Sequence, residues 1–259
     1  MQSALETFLA GGVLAFILTF VRIGSAVMIM PGLGDSFVSA RIRLHMALGI
    51  SFVLFPLVMP AIPHPLPQTF MLFVMITTEF IVGLLIGTVA RIFMTATDTA
   101  GMVISMQSGL SNAQVFNPSL ATQGSLIGAL LSVTGVLILF ETNLHHLLIT
   151  GLVESYQMFP VGEVPDTGSM AEVMSKAVNA AFTIGVKLAT PFIVLTLLIY
   201  VAMGVLARLM PQVQVFLLAL PIQILLSMIL LMLVASTLFL TWTAFYENSL
   251  TAFFQAASP

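Results

Sequence analysis

FMLFVMITTEFIVGLLIGTVARIF, residues 70–93, decides the fold class. A helix crosses the hydrocarbon core with about 20 apolar residues, and this run supplies them, with one acid inside it, Glu79, and one base near its end, Arg91. Towards the C-terminus, no residue between Asp98 and Glu141 is charged. Yet GMVISMQSGLSNAQVFNPSLATQG, residues 101–124, is rich in Gly, Ser, Asn and Gln. It is too polar to face lipid and too uncharged for an ordinary solvated loop. Polar or irregular backbone at membrane depth is tolerated where it is buried in protein or lines an aqueous path. We read this segment as the interior of a pore or its plug.

Composition agrees. Hydrophobic residues are 59% of the 259, charged residues 7%, and mean hydropathy is +1.13; a soluble domain carries about 25% charged residues. The basic residues are scattered singly, which leaves no nucleic-acid footprint. The absence of cysteine excludes disulfides and thiolate metal sites. Further spans are expected over 8–30, 44–59, 126–140, 180–206 and 213–245. The first is expected to be retained, since Glu6 stands where a signal peptide has its basic residues. Arg41, Arg43, Arg91 and Arg208 close one set of span ends, whereas the connection 141–172 is acidic. The positive-inside rule then puts the Arg-bearing ends in the cytoplasm, with both termini outside. The last apolar run is too long for one crossing, and Pro221 is expected to break or kink it into a hairpin or broken helices.

Arg22, Glu79 and Lys187 sit inside apolar runs, where a bare charge is costly and faces a partner or water. Three isolated charges of mixed sign pair more naturally than they relay protons, so ion pairs between helices or subunits are expected, without the pairing being readable. Thr97, Gly101, Ser105 and Gly109 recur at i, i+4, a small-residue stripe suited to close helix packing. Met102, Met106 and Leu110 lie beside it; Asn112 is expected to end the helix and Asn117-Pro118 to prevent its resumption. Flexible Met and Phe side chains at a constriction suit a deformable seal. His145-His146 with Glu141 is a poor metal site, because adjacent helical residues diverge. No catalytic constellation and no cofactor motif appears.

In the C-terminal third, GVLARLMPQVQVF, residues 204–216, followed by Pro221, resembles the FliR family of flagellar export proteins and its virulence type III secretion counterparts. The residues that carry the likeness are Arg208, Pro211, Gln212, Phe216 and Pro221. Arg22, the turn Pro31-Gly32-Leu33-Gly34, Arg41 and Arg43 match in the same order. Asn117, where the family often has Asp, and Gln214 depart from the pattern.

The resemblance implies an all-α polytopic membrane protein with broken helices and hairpins. Its N-terminal part, about residues 1–175 with the plug at 98–124, would be FliP-like, and about 176–259 FliQ-like. It further implies a flagellar type III export gate in the basal body of the bacterial inner membrane, where one copy joins five FliP and four FliQ. FlhB, FlhA and the export ATPase act with the gate, and unfolded flagellar subunits pass through it. Carried onto this chain, the plug or channel residues are Gly101, Met106, Gln107, Gly109, Phe116, Asn117 and Pro118. Arg22, Glu79, Arg91, Lys187 and Arg208 become buried helix or subunit contacts. The alternatives are an ion or solute carrier built on Glu79, Arg91 and Lys187, a non-conducting membrane scaffold and, more distantly, an intramembrane enzyme.

Overall fold

The computed structural model describes residues 2–61, 68–111, 125–210 and 215–255. Among them are seven α-helices: α1 (Gln2–Ile29), α2 (Ala40–Val58), α3 (Thr69–Gln107), α4 (Leu126–Glu141), α5 (Leu144–Met158), α6 (Thr167–Leu209) and α7 (Val215–Gln255). A short 3-10 turn, Met59–Ala61, follows α2. The chain is an all-α polytopic membrane protein. Among the described residues, five helices are long and apolar enough to cross a membrane, and α4 with α5, bent by 74° at their junction, would make a sixth span if taken together.

Several helices overrun the expected spans. The α3 helix continues past Phe93 to Gln107, where threonines bond back to their own helix. Thr97 donates to the Met94 carbonyl at 2.8 Å and Thr99 to that of Thr95 at 3.0 Å. Such back-bonding lets Thr sit in an apolar helix without an orphaned donor. The α5 helix occupies what reads in sequence as an acidic connection. Its buried positions Leu144, Leu148, Leu152 and Ser155 follow helical spacing, which His145, His146 and Glu154 obscure. At 1.5 Å per residue, the 43-residue α6 is about 65 Å long, twice the ~30 Å core.

The break expected at Pro221 is not there. Val215–Gln255 is one helix, with Pro221 as its seventh residue. Proline near a helix start forfeits one backbone bond, here to the carbonyl of residue 217, and leaves the following turns intact. Pro191 is likewise carried inside α6.

The chain packs as two compact units. The first holds Met1–Phe93, Leu139–Ala177 and Asn248–Pro259; the second holds Met94–Ile138 and Val178–Glu247. In the first, Ala15, Leu18 and Met75 form a core that Leu14, Phe55, Met59, Ile76 and Val161 surround. Phe16 meets Phe55 edge to face at 6.0 Å. In the second, Trp242 is fully buried, against Tyr246 at 5.4 Å, and a Cβ on Gly135 would meet its ring at 3.5 Å.

Candidate functional site

The residues singled out in sequence fall into three clusters. The first is a buried guanidinium. Arg22, on α1, donates from Nε and Nη2 to the two Glu79 carboxylate oxygens on α3, at 2.5 and 2.8 Å. Its Nη1 reaches the Ser155 carbonyl at 3.0 Å and the Ser155 hydroxyl at 3.2 Å, and Nη2 also reaches the Phe159 carbonyl at 2.8 Å. The Tyr156 ring lies 3.9 Å from the guanidinium carbon. Both charged side chains are 1% exposed. The planar fork thus satisfies all its nitrogens and ties α1, α3 and the end of α5 together. Gly83 makes this approach possible, since a Cβ there would lie 2.2 Å from the Arg22 carbonyl oxygen.

The second cluster organises the turn after α1. Arg91 pairs with Asp35, whose other oxygen accepts from the Gly32 N–H at 2.7 Å. Gly32 has φ +82°, the left-handed region that suits glycine. Arg43 reaches the Gly34 carbonyl at 3.4 Å. Pro31-Gly32-Leu33-Gly34 is therefore a turn held by Asp35. A Cβ on Gly34 would come within 2.5 Å of the Met28 carbonyl oxygen.

The third cluster lies in the second unit, at the two ends of residues 112–124. Gly101 on α3 meets Gly128 on α4, and a Cβ on Gly101 would stand 2.3 Å from the Gly128 Cα. Ser125 fastens this crossing. Its hydroxyl donates to the Gly101 carbonyl at 3.0 Å and accepts from the Gly128 N–H at 3.0 Å. Thr97, Gly101 and Ser105 are buried along the same face of α3. Met102 and Met106, one turn apart, are 55% and 65% exposed.

The helix ends earlier than expected, at Gln107, with Gly109 at φ +78°. Gly109 is thus the stop of α3, and the fourth member of the small-residue stripe is not on the helix. The Ser108 N–H bonds the Ile104 carbonyl, Gly109 that of Met106 and Ser111 that of Ser105. The Gln107 carbonyl is taken instead by two distant side chains, Thr196 on α6 at 2.8 Å and Gln223 on α7 at 2.5 Å.

Other predicted residues are placed apart. Lys187 and Arg208 are exposed on this chain, so neither is a buried contact within it. Within the first unit, Glu79 faces Arg22 and Arg91 faces Asp35, so these two residues of the carrier alternative stand in separate ion pairs. His145 stacks near Phe140 and His146, at 5.1 and 4.2 Å. Phe116, Asn117, Pro118, Pro211 and Gln212 lie outside the described residues, as does the Phe216 side chain.

Sequence reasoning passed over Asp35, Ser125, Thr196 and Gln223. Gln223, alone between Ile222 and Ile224 in an apolar run, carried the clearest signal.

The sequence that builds these helices matches a known family. Residues 13–249 match the model for bacterial export proteins, family 1. The flagellar biosynthetic protein FliR of Caulobacter vibrioides is 40% identical over 91% of this chain and 94% of its own length. The chain belongs to the FliR family. FliR of Bacillus subtilis is 31% identical over 87% of each chain. The Yop proteins translocation protein T of Yersinia pestis is 31% identical over 62% of each. As a FliR-family protein, the chain is a component of a type III export apparatus. Arg22, Arg41, Arg43, Arg91 and the Pro31–Gly34 turn all lie within the matched residues.

Proposed function

We propose that the chain is the single-copy subunit of the flagellar protein export gate of the bacterial inner membrane. With five FliP and four FliQ it forms the channel for unfolded flagellar subunits. FlhB, FlhA and the export ATPase act on the cytoplasmic side, where the Arg-bearing span ends lie. Residues 98–124 supply a plug that limits ion leakage at rest and yields to an extended polypeptide. The parts about 1–175 and 176–259 correspond to FliP-like and FliQ-like folds.

The observation that carries the reading is 40% identity to a flagellar FliR over 91% of the chain. Two features support the plug. After Asp98 the segment is uncharged and polar within a membrane protein. Its Gly101 also packs closely against Gly128 on α4. Exposed Met102 and Met106 offer soft surface within it.

The test has two steps. The complex extracted in mild detergent is weighed and its partners identified; one copy held with several copies of two small apolar proteins is expected. Deletion of residues 115–120 should then raise ion leakage while assembly persists. A lone chain or homodimer would overturn the gate reading. An assembled deletion mutant with unchanged leakage would overturn the plug.

A further inference from the structure

The last turn of α3 presents a chemical imbalance. A helix leaves its final carbonyls without intrahelical partners. The turn through Gly109 satisfies those of Ile104, Ser105 and Met106 from within the segment. Gln107 is served from elsewhere, by Thr196 Oγ1 and Gln223 Nε2. Those residues lie 89 and 116 positions away in the chain and are only 2% and 3% exposed. A carbonyl oxygen has two lone pairs, and both are engaged here.

The two donors differ in kind. The Thr196 hydroxyl has one proton and two acceptors in reach, the Gln107 carbonyl at 2.8 Å and the Phe192 carbonyl of its own helix at 2.9 Å. It can turn from one to the other without losing a hydrogen bond. Gln223 reaches Gln107 from a different helix at 2.5 Å and is committed. The attachment therefore has one fixed bond and one that can be released at low cost.

We propose that Thr196 and Gln223 are positioning residues that tether the C-terminal end of α3 to α6 and α7. They set the point from which the polypeptide leaves α3, and they transmit movement of the two C-terminal helices to that point. The proposal deepens the plug reading and rests on it for its functional meaning, since Gln107 and residue 111 lie within the proposed plug, residues 98–124. Thr196 is the releasable half of the tether and Gln223 the anchor.

The absence of cysteine gives a direct test. Ser111→Cys is introduced into the full chain within its detergent-extracted complex, and the rate of maleimide labelling is measured. Thr196→Val and Gln223→Leu remove the donors while keeping side-chain bulk. Each should speed labelling of position 111 about two- to ten-fold, the span expected for one net hydrogen bond. Gln223→Leu should have the larger effect, and Thr196→Ser should restore the parent rate. Labelling of a Thr167→Cys chain should not respond, which separates a local release from general loosening. Where Thr196→Val fails to accumulate, Thr196→Ala takes its place. An unchanged rate at 111 in both donor variants overturns the tether, as does an equal rise at 167. Ion leakage, read on the same variants, separates the two claims. Faster labelling without leakage upholds the tether and counts against the plug. Unchanged labelling beside a leaking 115–120 deletion upholds the plug and rejects the tether.

Discussion

The two units solve the same problem, holding polar groups among apolar helices, by different chemistry. In the first, a full charge pair does it: Arg22 and Glu79, both 1% exposed, with the Ser155 and Phe159 carbonyls accepting from the remaining guanidinium donors. In the second, the named contacts are neutral. Gly101 lets α3 and α4 touch, Ser125 bridges them, and Thr196 with Gln223 closes the end of α3. A buried ion pair is unforgiving, since loss of one partner strands the other. A neutral hydrogen bond loses little when it is exchanged for another partner. The difference teaches that the first unit is built to keep its geometry, while the second has contacts that can be exchanged.

Breaking the charge pair should have the largest effect. Glu79→Ala leaves Arg22 buried without its counter-ion, a loss of about 3–5 kcal/mol. Thermal unfolding in detergent should fall sharply, and amide exchange should quicken in α1 and α5. A paired replacement, Arg22→Met with Glu79→Met, should recover most of that stability. If Glu79→Ala melts no earlier than the parent, the contrast between the units fails.

An intermediate effect is expected in the neutral unit. Gly101→Ala puts a Cβ against the Gly128 backbone, which cannot swing aside as a side chain does. Overpacking of this kind costs about 1–3 kcal/mol. Gly128 itself has more room, with its nearest neighbour at 3.2 Å, so Gly128→Ala should cost less. The order of the two melting temperatures checks this asymmetry.

The smallest effect sharpens the contrast from outside the membrane. Asp166 precedes α6 and accepts from the Ser169 hydroxyl at 2.6 Å and from the Ser169 and Gly168 N–H groups at 2.9 and 3.3 Å. These bonds, led by the Ser169 hydroxyl, hold its carboxyl below the usual aspartate value. A depressed folded value means the stabilisation is present above the ordinary aspartate range and is lost as pH falls through the folded one. Amide protection at residues 168–170, taken relative to the intrinsic exchange rate at each pH, should therefore fall in acid, and Asp166→Ala should abolish that fall. The carboxylate is fully exposed, so the change should be confined to the first turn of α6.

The limits of sequence reading follow from the kind of signal each feature leaves. Apolar runs announce spans because lipid demands about 20 such residues in a row. They say less about where a helix stops. The α3 helix outlasts its apolar run because threonines satisfy themselves on their own backbone, and it halts at Gly109 because that residue adopts a left-handed conformation. Pro221 looked like a break because its penalty depends on position, and position is fixed only once the helix start is known. The α5 helix was hidden because polar residues interrupt a short amphipathic pattern.

By itself, the sequence determined the membrane setting, the all-α class, the family and the unusual polarity of residues 101–124. These depend on composition, order and motif, which are properties of the string. Tertiary structure alone decided that Arg22 chooses Glu79, that Arg91 chooses Asp35 and that the Gln107 carbonyl is held by Thr196 and Gln223. Each choice joins residues more than 50 positions apart, and only the packing of helices sets which of the available partners comes within hydrogen-bonding distance.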